Sequence, residues 1–328
     1  MEGIADIDGF ELDRFVRSSG RVDLSAVEWD RVREAPLTRD EVRLLRYMMD
    51  IESHTVIFLR DLLATHAAFD PTITAFLSCW NYEEYWHGEA FSRLLGEAGI
   101  PVAPDREAVR HDSPYPTRTR RIHAIRRSLG ARGYLSHIGT LVGSALTDRD
   151  FVAIHMTWGM VNELTTANAY RWMIDRTGNA PLEQVLRAIT KQERRHFAFY
   201  RSQARRRLRA SARARRLVRW SLDRLWAPVG TGVRPQAETD FVVTHLFNDP
   251  EGLVLVRELD ETIAALPGLE GTRYLEGALR EAAARTDVPF TEAPPAAQAT
   301  GRTRVPSGVS ITSSPSAASS SRNRSLVS

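Results

Sequence analysis

Between Thr38 and Ala67, the residues Leu45, Met48, Met49, Glu52, Val56 and Leu59 fall on one stripe at spacings of three and four. That period predicts a helix buried along one side. Thr38-Arg39-Asp40-Glu41 has the form of a capping box and marks the start of that helix. Glu52 falls on the buried side. A buried carboxylate without a partner is expensive, so this position asks for a metal ion or a hydrogen-bonding group.

Similar patterns predict the remaining elements. Asp70-Pro71 starts a second helix, with Pro in the first turn, that runs through Phe76, Trp80, Glu84 and His87 to about Ala98. Gly99 and Pro101 stop it. Residues 101–117, rich in Pro and charge, read as a loop, followed by a basic amphipathic helix near 118–130. A further helix over 131–146 carries Leu135, Ile138, Leu141 and Val142. A long helix over about 148–177 carries Glu163 among Ile154, Trp158, Met160, Ala167 and Tyr170. After a turn at Gly178-Asn179-Ala180-Pro181, the next helix holds Val185, Ile189, Glu193, His196 and Tyr200.

The fold class that follows is all-α: a four-helix bundle core with extra helices. Residues 1–37 form an N-terminal segment anchored on the bundle by Phe10, Leu12, Phe15, Leu24, Val27 and Trp29. The bundle itself spans 38–225. Composition changes near Pro228 to Pro235, and 226–290 reads as a C-terminal extension, with two or three short helices bearing Phe241, Leu246, Leu253, Leu255, Ile263 and Leu266. From 291 to 328 the chain is rich in Ser, Ala, Pro and Thr and is expected to be disordered.

Two of the predicted helices carry the same signature, Glu84-x-x-His87 and Glu193-x-x-His196, and these are the only two Glu-x-x-His matches in the chain. Positions i and i+3 share a helix face, so each helix can aim a carboxylate and an imidazole at one point. Each match alone has a plainer reading: His87 as a hydrogen-bonded core histidine, Glu193 and His196 as a solvated face. Together with Glu52 and Glu163 on two other helices, they give the ordered ligand set of a carboxylate-bridged di-iron site in a four-helix bundle. In that arrangement Glu52 and His87 serve one metal, Glu163 and His196 the other, and Glu84 and Glu193 bridge. These donors suit two iron ions, with manganese possible. A dry helical core that binds O2 favours iron over a hydrolytic metal pair.

Composition narrows the setting. With 328 residues, 43% of them hydrophobic, the chain can bury a substantial core. Cys79 is the only cysteine, so a thiolate cluster or intrachain disulfide is impossible and a metal site must use carboxylates and imidazoles. The acidic N-terminus has no signal-peptide pattern, and no stretch reaches the 18 or so apolar residues of a membrane span. A cytoplasmic protein is expected. Net charge is +3, and Lys191 is the only lysine. Arg201, Arg205, Arg206, Arg207, Arg209, Arg213, Arg215, Arg216 and Arg219 continue the last ligand helix, either as a solvated surface or as a face for an acidic partner. Neither a nucleic-acid-binding module nor a nucleotide-binding glycine motif accompanies them.

The motifs carry a resemblance. Trp80-Asn-Tyr-Glu-Glu-Tyr-Trp-His-Gly88 resembles the Trp-x-x-Glu-Glu-Asn-Arg-His-Gly segment of the soluble acyl-ACP desaturases. Gln192-Glu-Arg-Arg-His196 is similar to their Asp-Glu-Lys-Arg-His segment, and Glu163-Leu-Thr-Thr166 to their Glu-x-x-Thr. The resemblance covers about residues 40–205. It implies a ferritin-like bundle, usually a homodimer, that uses O2 to insert a cis double bond into a fatty acyl chain on acyl carrier protein, with electrons from a ferredoxin-type donor. It implies Glu52, Glu84, His87, Glu163, Glu193 and His196 as iron ligands and Thr166 as a helper on the O2 side. Read by itself, Thr166 is a helix-face hydroxyl bonded to its own backbone. The chain departs from the family in Gln192 for Asp, in a longer separation of Glu84 from Glu163, and in the Arg run and C-terminal extension.

Two other classes fit the same residues. One is a di-iron hydroxylase or amine N-oxygenase of secondary metabolism. Such N-oxygenases usually have an additional His ligand, and His155 could take that place or pack in the core. The other is a non-enzymatic ferritin-like iron-binding protein, against which the Trp-, Met- and Phe-rich interior speaks.

Overall fold

The computed structural model describes residues 9–102, 142–147 and 149–291. No β-strand occurs among the described residues, apart from one isolated bridge between Thr231 and Arg234. Four helices form the expected bundle: α2 (Arg39–Glu52), α4 (Pro71–Glu97), α5 (Arg149–Ile174) and α6 (Ala180–Ala210). Short α1 (Leu12–Ser18) precedes them, and α3 (Thr55–Leu63) lies between α2 and α4. The most extensive packing is of α5 on α6, then of α2 on α4.

Local chemistry sets the starts of these helices. At α2, the Thr38 hydroxyl accepts from the Glu41 N–H at 3.2 Å while the Glu41 carboxylate accepts from the Thr38 N–H at 2.8 Å. At α4, Asp70 accepts from the N–H groups of Thr72 and Ile73, with Pro71 in the first turn. At α6, Asn179 accepts from the Leu182 N–H at 2.9 Å.

Two predicted helices are broken where the apolar stripe runs on. The stripe through Leu59 is not one helix: the chain turns at Ser53 and His54 before α3 begins. There the Ser53 hydroxyl donates to the Met49 carbonyl and the Thr55 hydroxyl to the Glu52 carbonyl, while the His54 N–H reaches back to Ile51. Side chains that bond their own turn in this way compete with the helical ladder. The arginine run is likewise divided. Extended backbone at Ser211 ends α6, and the Ser211 hydroxyl caps α7 (Ala212–Leu225) by accepting from Ala214.

The extension forms α8 (Gln236–Phe247), α9 (Pro250–Ala264) and α10 (Tyr274–Arg285). Its lead-in crosses α2 at Gly230, which has φ +93° and lies so close to Tyr47 that a Cβ would enter that side chain. At the N-terminus Phe10, Leu12, Phe15 and Val27 are buried and Leu24 and Trp29 half-buried; Val22 and Val32 are buried too.

The interior separates into two apolar layers. Along α4, Phe76, Leu77 and Trp80 belong to one layer and Phe91, Leu94 and Leu95 to the other, with Glu84 and His87 between. Along α6 the order reverses: Val185 to Ile189, then Glu193 and His196, then Phe199 and Tyr200. Glu163 lies at the same changeover on α5, and Glu52 at the end of α2. The candidate ligands thus form one polar slab across the bundle, the placement that ferritin-like carboxylate proteins use.

The predicted loop at 101–117 beyond residue 102, the basic helix at 118–130, residues 131–141 and the tail from 292 lie outside the described residues. Residues 142–147 are helical, and Val142 is exposed rather than in the core. Among the described residues, no helix is long and apolar enough to cross a membrane.

Candidate metal centre

All six predicted ligands converge in two overlapping groups. Glu52, Glu84, His87 and Glu193 form one, and Glu84, Glu163, Glu193 and His196 the other; within each group one donor atom per residue lies within 4.8 Å of the rest. All six are buried. His87 Nδ1 stands 3.7 Å from Glu52, 3.8 Å from Glu84 Oε2 and 3.1 Å from Glu193 Oε1. His196 Nδ1 stands 3.0 Å from Glu84 Oε1, 3.6 Å from Glu163 and 3.7 Å from Glu193 Oε2. Glu84 and Glu193 each turn one oxygen to either histidine, which is the disposition of a bridging carboxylate. Glu52 and Glu163 each belong to one group, and Glu84 and Glu193 to both.

These donors fit metal ions on a further observation. His87 Nδ1, His196 Nδ1, Glu84 Oε1 and both oxygens of Glu193 are buried and have no hydrogen-bond partner among the described residues. Buried polar atoms are normally satisfied, and these five belong to residues that converge on one interior space.

The outer nitrogens of both histidines are engaged, which fixes their tautomers. Gln192 Nε2 donates to the Gly20 carbonyl at 3.0 Å, so its Oε1 faces His87 Nε2 at 2.8 Å and accepts from it. His196 Nε2 donates to Glu83 Oε2 at 2.7 Å. With Nε2 of both rings engaged in this way, Nδ1 is the nitrogen left facing the interior, where a metal ion would take the place of its proton. Glu83 also accepts from Arg195 at 2.7 Å and from the Gly20 N–H at 3.3 Å. The Tyr170 hydroxyl donates to Glu52, and Trp80 Nε1 donates to Glu163 at 2.9 Å.

Proton affinities record the crowding. Burial, then the charge of Glu84, holds the Glu52 carboxyl well above its usual range; burial and Glu193 do the same for Glu163. Burial opposes the charged form of both imidazoles. The carboxylates nonetheless dominate, led by Glu193 at His87 and by Glu163 at His196, and raise both histidines well above normal. Burial likewise works against ionised Glu84 and Glu193. The neighbouring Glu52 carboxyl and both imidazoles outweigh it at Glu84, the two imidazoles do so at Glu193, and both carboxyls are held low. Without metal, the cluster therefore retains protons where cations would sit.

Thr166 lines an apolar cavity of about 100 Å³ that reaches Glu52 and Tyr170. Its other walls include Ile51 and Ala169 from the bundle and Val242, Val256 and Leu279 from α8, α9 and α10. The hydroxyl on this turn that bonds its own backbone is that of Thr165, to Val161 and Asn162. His155 is not part of either donor group and packs its ring edgewise against Phe151 and Phe58.

Sequence reasoning missed Glu83, Tyr170 and Gly20 as parts of the centre. A signal existed for the first. The residue before each motif glutamate, Glu83 and Gln192, supports the histidine of the opposite motif.

The chain matches no known protein-family profile and no curated protein. It is similar to solved structures of variants of an R2-like ligand-binding oxidase with reconstituted Mn/Fe cofactor. These are 17–18% identical to it with TM-scores of 0.45–0.46, over 86% of this chain and 93–94% of theirs. Identity and TM-score at these levels carry neither substrate nor mechanism across.

Proposed function

We propose that this chain is an O2-dependent di-iron oxidoreductase acting on an apolar substrate, with Glu52, Glu84, His87, Glu163, Glu193 and His196 as ligands. The convergence of six buried donors from four helices on one slab, with those of α4 and α6 carrying atoms that have no hydrogen-bond partner, carries this reading. Carboxylate and imidazole donors suit iron, with manganese as the alternative. A bound iron pair would supply O2 activation and an oxidant for an unactivated C–H bond. The protein's own part is to hold the histidine tautomers through Gln192 and Glu83, to orient Glu52 and Glu163 through Tyr170 and Trp80, and to exclude water. Thr166 lines the space beside Glu52, where its hydroxyl would be available to donate a hydrogen bond or hold a proton.

In its specific form the proposal is desaturation of a fatty acyl chain carried on acyl carrier protein, with a ferredoxin-type electron donor and a homodimeric enzyme, on the motif resemblance. The cavity supports an apolar substrate portion. An acidic carrier would meet Arg201, Arg205 and Arg209, which recur every four residues on α6, are exposed and have no acidic partner among the described residues. Arg213 is less available: it donates to the Leu146 carbonyl and lies 3.8 Å from Asp150.

The cavity's size favours a second reading. At about 100 Å³ it is smaller than the roughly 150 Å³ that holds a benzene ring, so a long acyl chain requires far more movement of the extension than the small substrate of a hydroxylase or N-oxygenase does. A pocket placed against Glu52 favours either reaction over iron storage.

The test is anaerobic reconstitution with ferrous iron, then O2, a ferredoxin system and acyl carrier protein loaded with acyl chains, with products read by mass spectrometry. About two irons per chain and loss of two hydrogens from the acyl chain are expected; gain of one oxygen atom selects the oxygenase. Iron near zero, or iron fully retained in Glu84→Ala/Glu193→Ala, refutes the metal assignment.

A further inference from the structure

The two metal positions are matched except behind their histidines. Each takes half of Glu84 and Glu193. Each terminal carboxylate receives one donor from a buried aromatic residue, Tyr170 on Glu52 and Trp80 on Glu163. Behind His87, however, stands the neutral amide of Gln192, whereas behind His196 stands the carboxylate of Glu83. Backbone groups of a single residue hold both orientations: the Gly20 carbonyl accepts from Gln192 and the Gly20 N–H donates to Glu83.

A carboxylate that accepts the imidazole N–H raises the basicity of the ligating nitrogen, and its charge-assisted bond is about twice as strong as a neutral one. Arg195 offsets part of that charge, but its side chain is 31% exposed while Glu83 is fully buried, so solvent screens the cation more than the anion. Resting on the dinuclear reading above, we infer that the position of Glu163 and His196 is the tighter of the two and fills first, and that the Glu83–Gln192 difference sets this order. The weaker position is the one whose ligand Glu52 borders the apolar cavity. A looser ion, more open to a change of ligand, therefore stands where substrate would lie.

Anaerobic titration of metal-free protein with Mn(II), followed by electron paramagnetic resonance, tests this without turnover. One equivalent should give an isolated-ion spectrum and the second a coupled pair, with affinities separated by about tenfold or more. Glu163→Ala should abolish the tight event and Glu52→Ala should keep it. Glu83→Gln should weaken the tight event by about 10–100-fold and bring the two together. Gln192→Glu, which keeps an acceptor for His87 Nε2 at the cost of the hydrogen bond to the Gly20 carbonyl, should tighten the second event, and circular dichroism of each metal-free variant checks the fold. Equal affinities in the natural protein, a tight event that survives Glu163→Ala, or a Glu83→Gln variant indistinguishable from the natural protein overturns the inference while leaving the dinuclear reading intact. No Mn(II) binding at all removes both.

Discussion

Gly88 follows His87 on α4 and lies against the end of α2, where Glu52 is held. A Cβ built there meets Ser53 Oγ at 2.6 Å, Met49 O at 3.4 Å and the Ser53 N at 3.5 Å. Ordinary contact begins near 3.4 Å, so Ser53 Oγ must give by 3.4 − 2.6 = 0.8 Å. It can rotate only by leaving the Met49 carbonyl, which it holds at 2.6 Å, a loss of about 1 kcal/mol. If instead the helix end moves, Glu52 moves with it, and overpacking of this kind costs about 1–3 kcal/mol. Gly96 lies on the same helix with nothing within 4 Å of its Cβ position, and Ala there should stabilise by about 0.5–1 kcal/mol. Both variants share the gain in helix propensity, so the difference between them isolates the Ser53 contact. Gly88→Ala should fall below Gly96→Ala by about 1–3 kcal/mol in denaturant unfolding and should bind its second metal less tightly. Adding Ser53→Ala removes the 2.6 Å contact and leaves only the ordinary ones, so the double variant should recover both stability and metal. Gly88→Ala as stable as Gly96→Ala, or no recovery in the double variant, would refute the argument.

Three further outcomes are expected. Glu52, Glu163, His87 and His196 all have raised proton affinities when folded, from ordinary values of 4.5 for the carboxyls and 6.5 for the imidazoles. Their stabilising effect is therefore full below those values and lost as pH rises toward the folded ones, so the metal-free melting temperature should drop from mildly acid to alkaline pH and the drop should shrink once metal displaces the protons. A metal-free melting temperature that rises over that range contradicts this. Replacing Ala278, on α10 at the cavity wall, with Leu should reduce product formation while two metals remain bound; unchanged turnover would place the substrate elsewhere. Charge reversal at Arg201, Arg205 and Arg209 should slow association with an acidic carrier and flatten its salt dependence, measured by stopped-flow at two ionic strengths, without loss of iron.

What was legible in the sequence is what short-range chemistry writes. The caps at Thr38, Asp70 and Asn179 each use residues within three positions. The two Glu-x-x-His pairs need only the helical period, and with Glu52 and Glu163 they name the residues that the fold brings together. The breaks at Ser53 and Ser211 were hidden because the apolar stripe or the arginine run continues across them, while the deciding interaction is one hydroxyl bonding to one turn. Tyr170 carries the pattern of a core aromatic residue, and nothing in its spacing shows the phenol reaching Glu52, 118 positions away. The extension reads as apolar helices, but only its docking makes it a wall of the cavity beside Glu52. The supports of the histidines cross the bundle, from Glu83 to His196 and from Gln192 to His87, so each motif completes the other rather than itself. Gly20 is the extreme case. It joins both supports through its backbone N–H and C=O, with no atom within 4 Å of where a Cβ would be, and a contact made by the peptide alone leaves no residue preference to find.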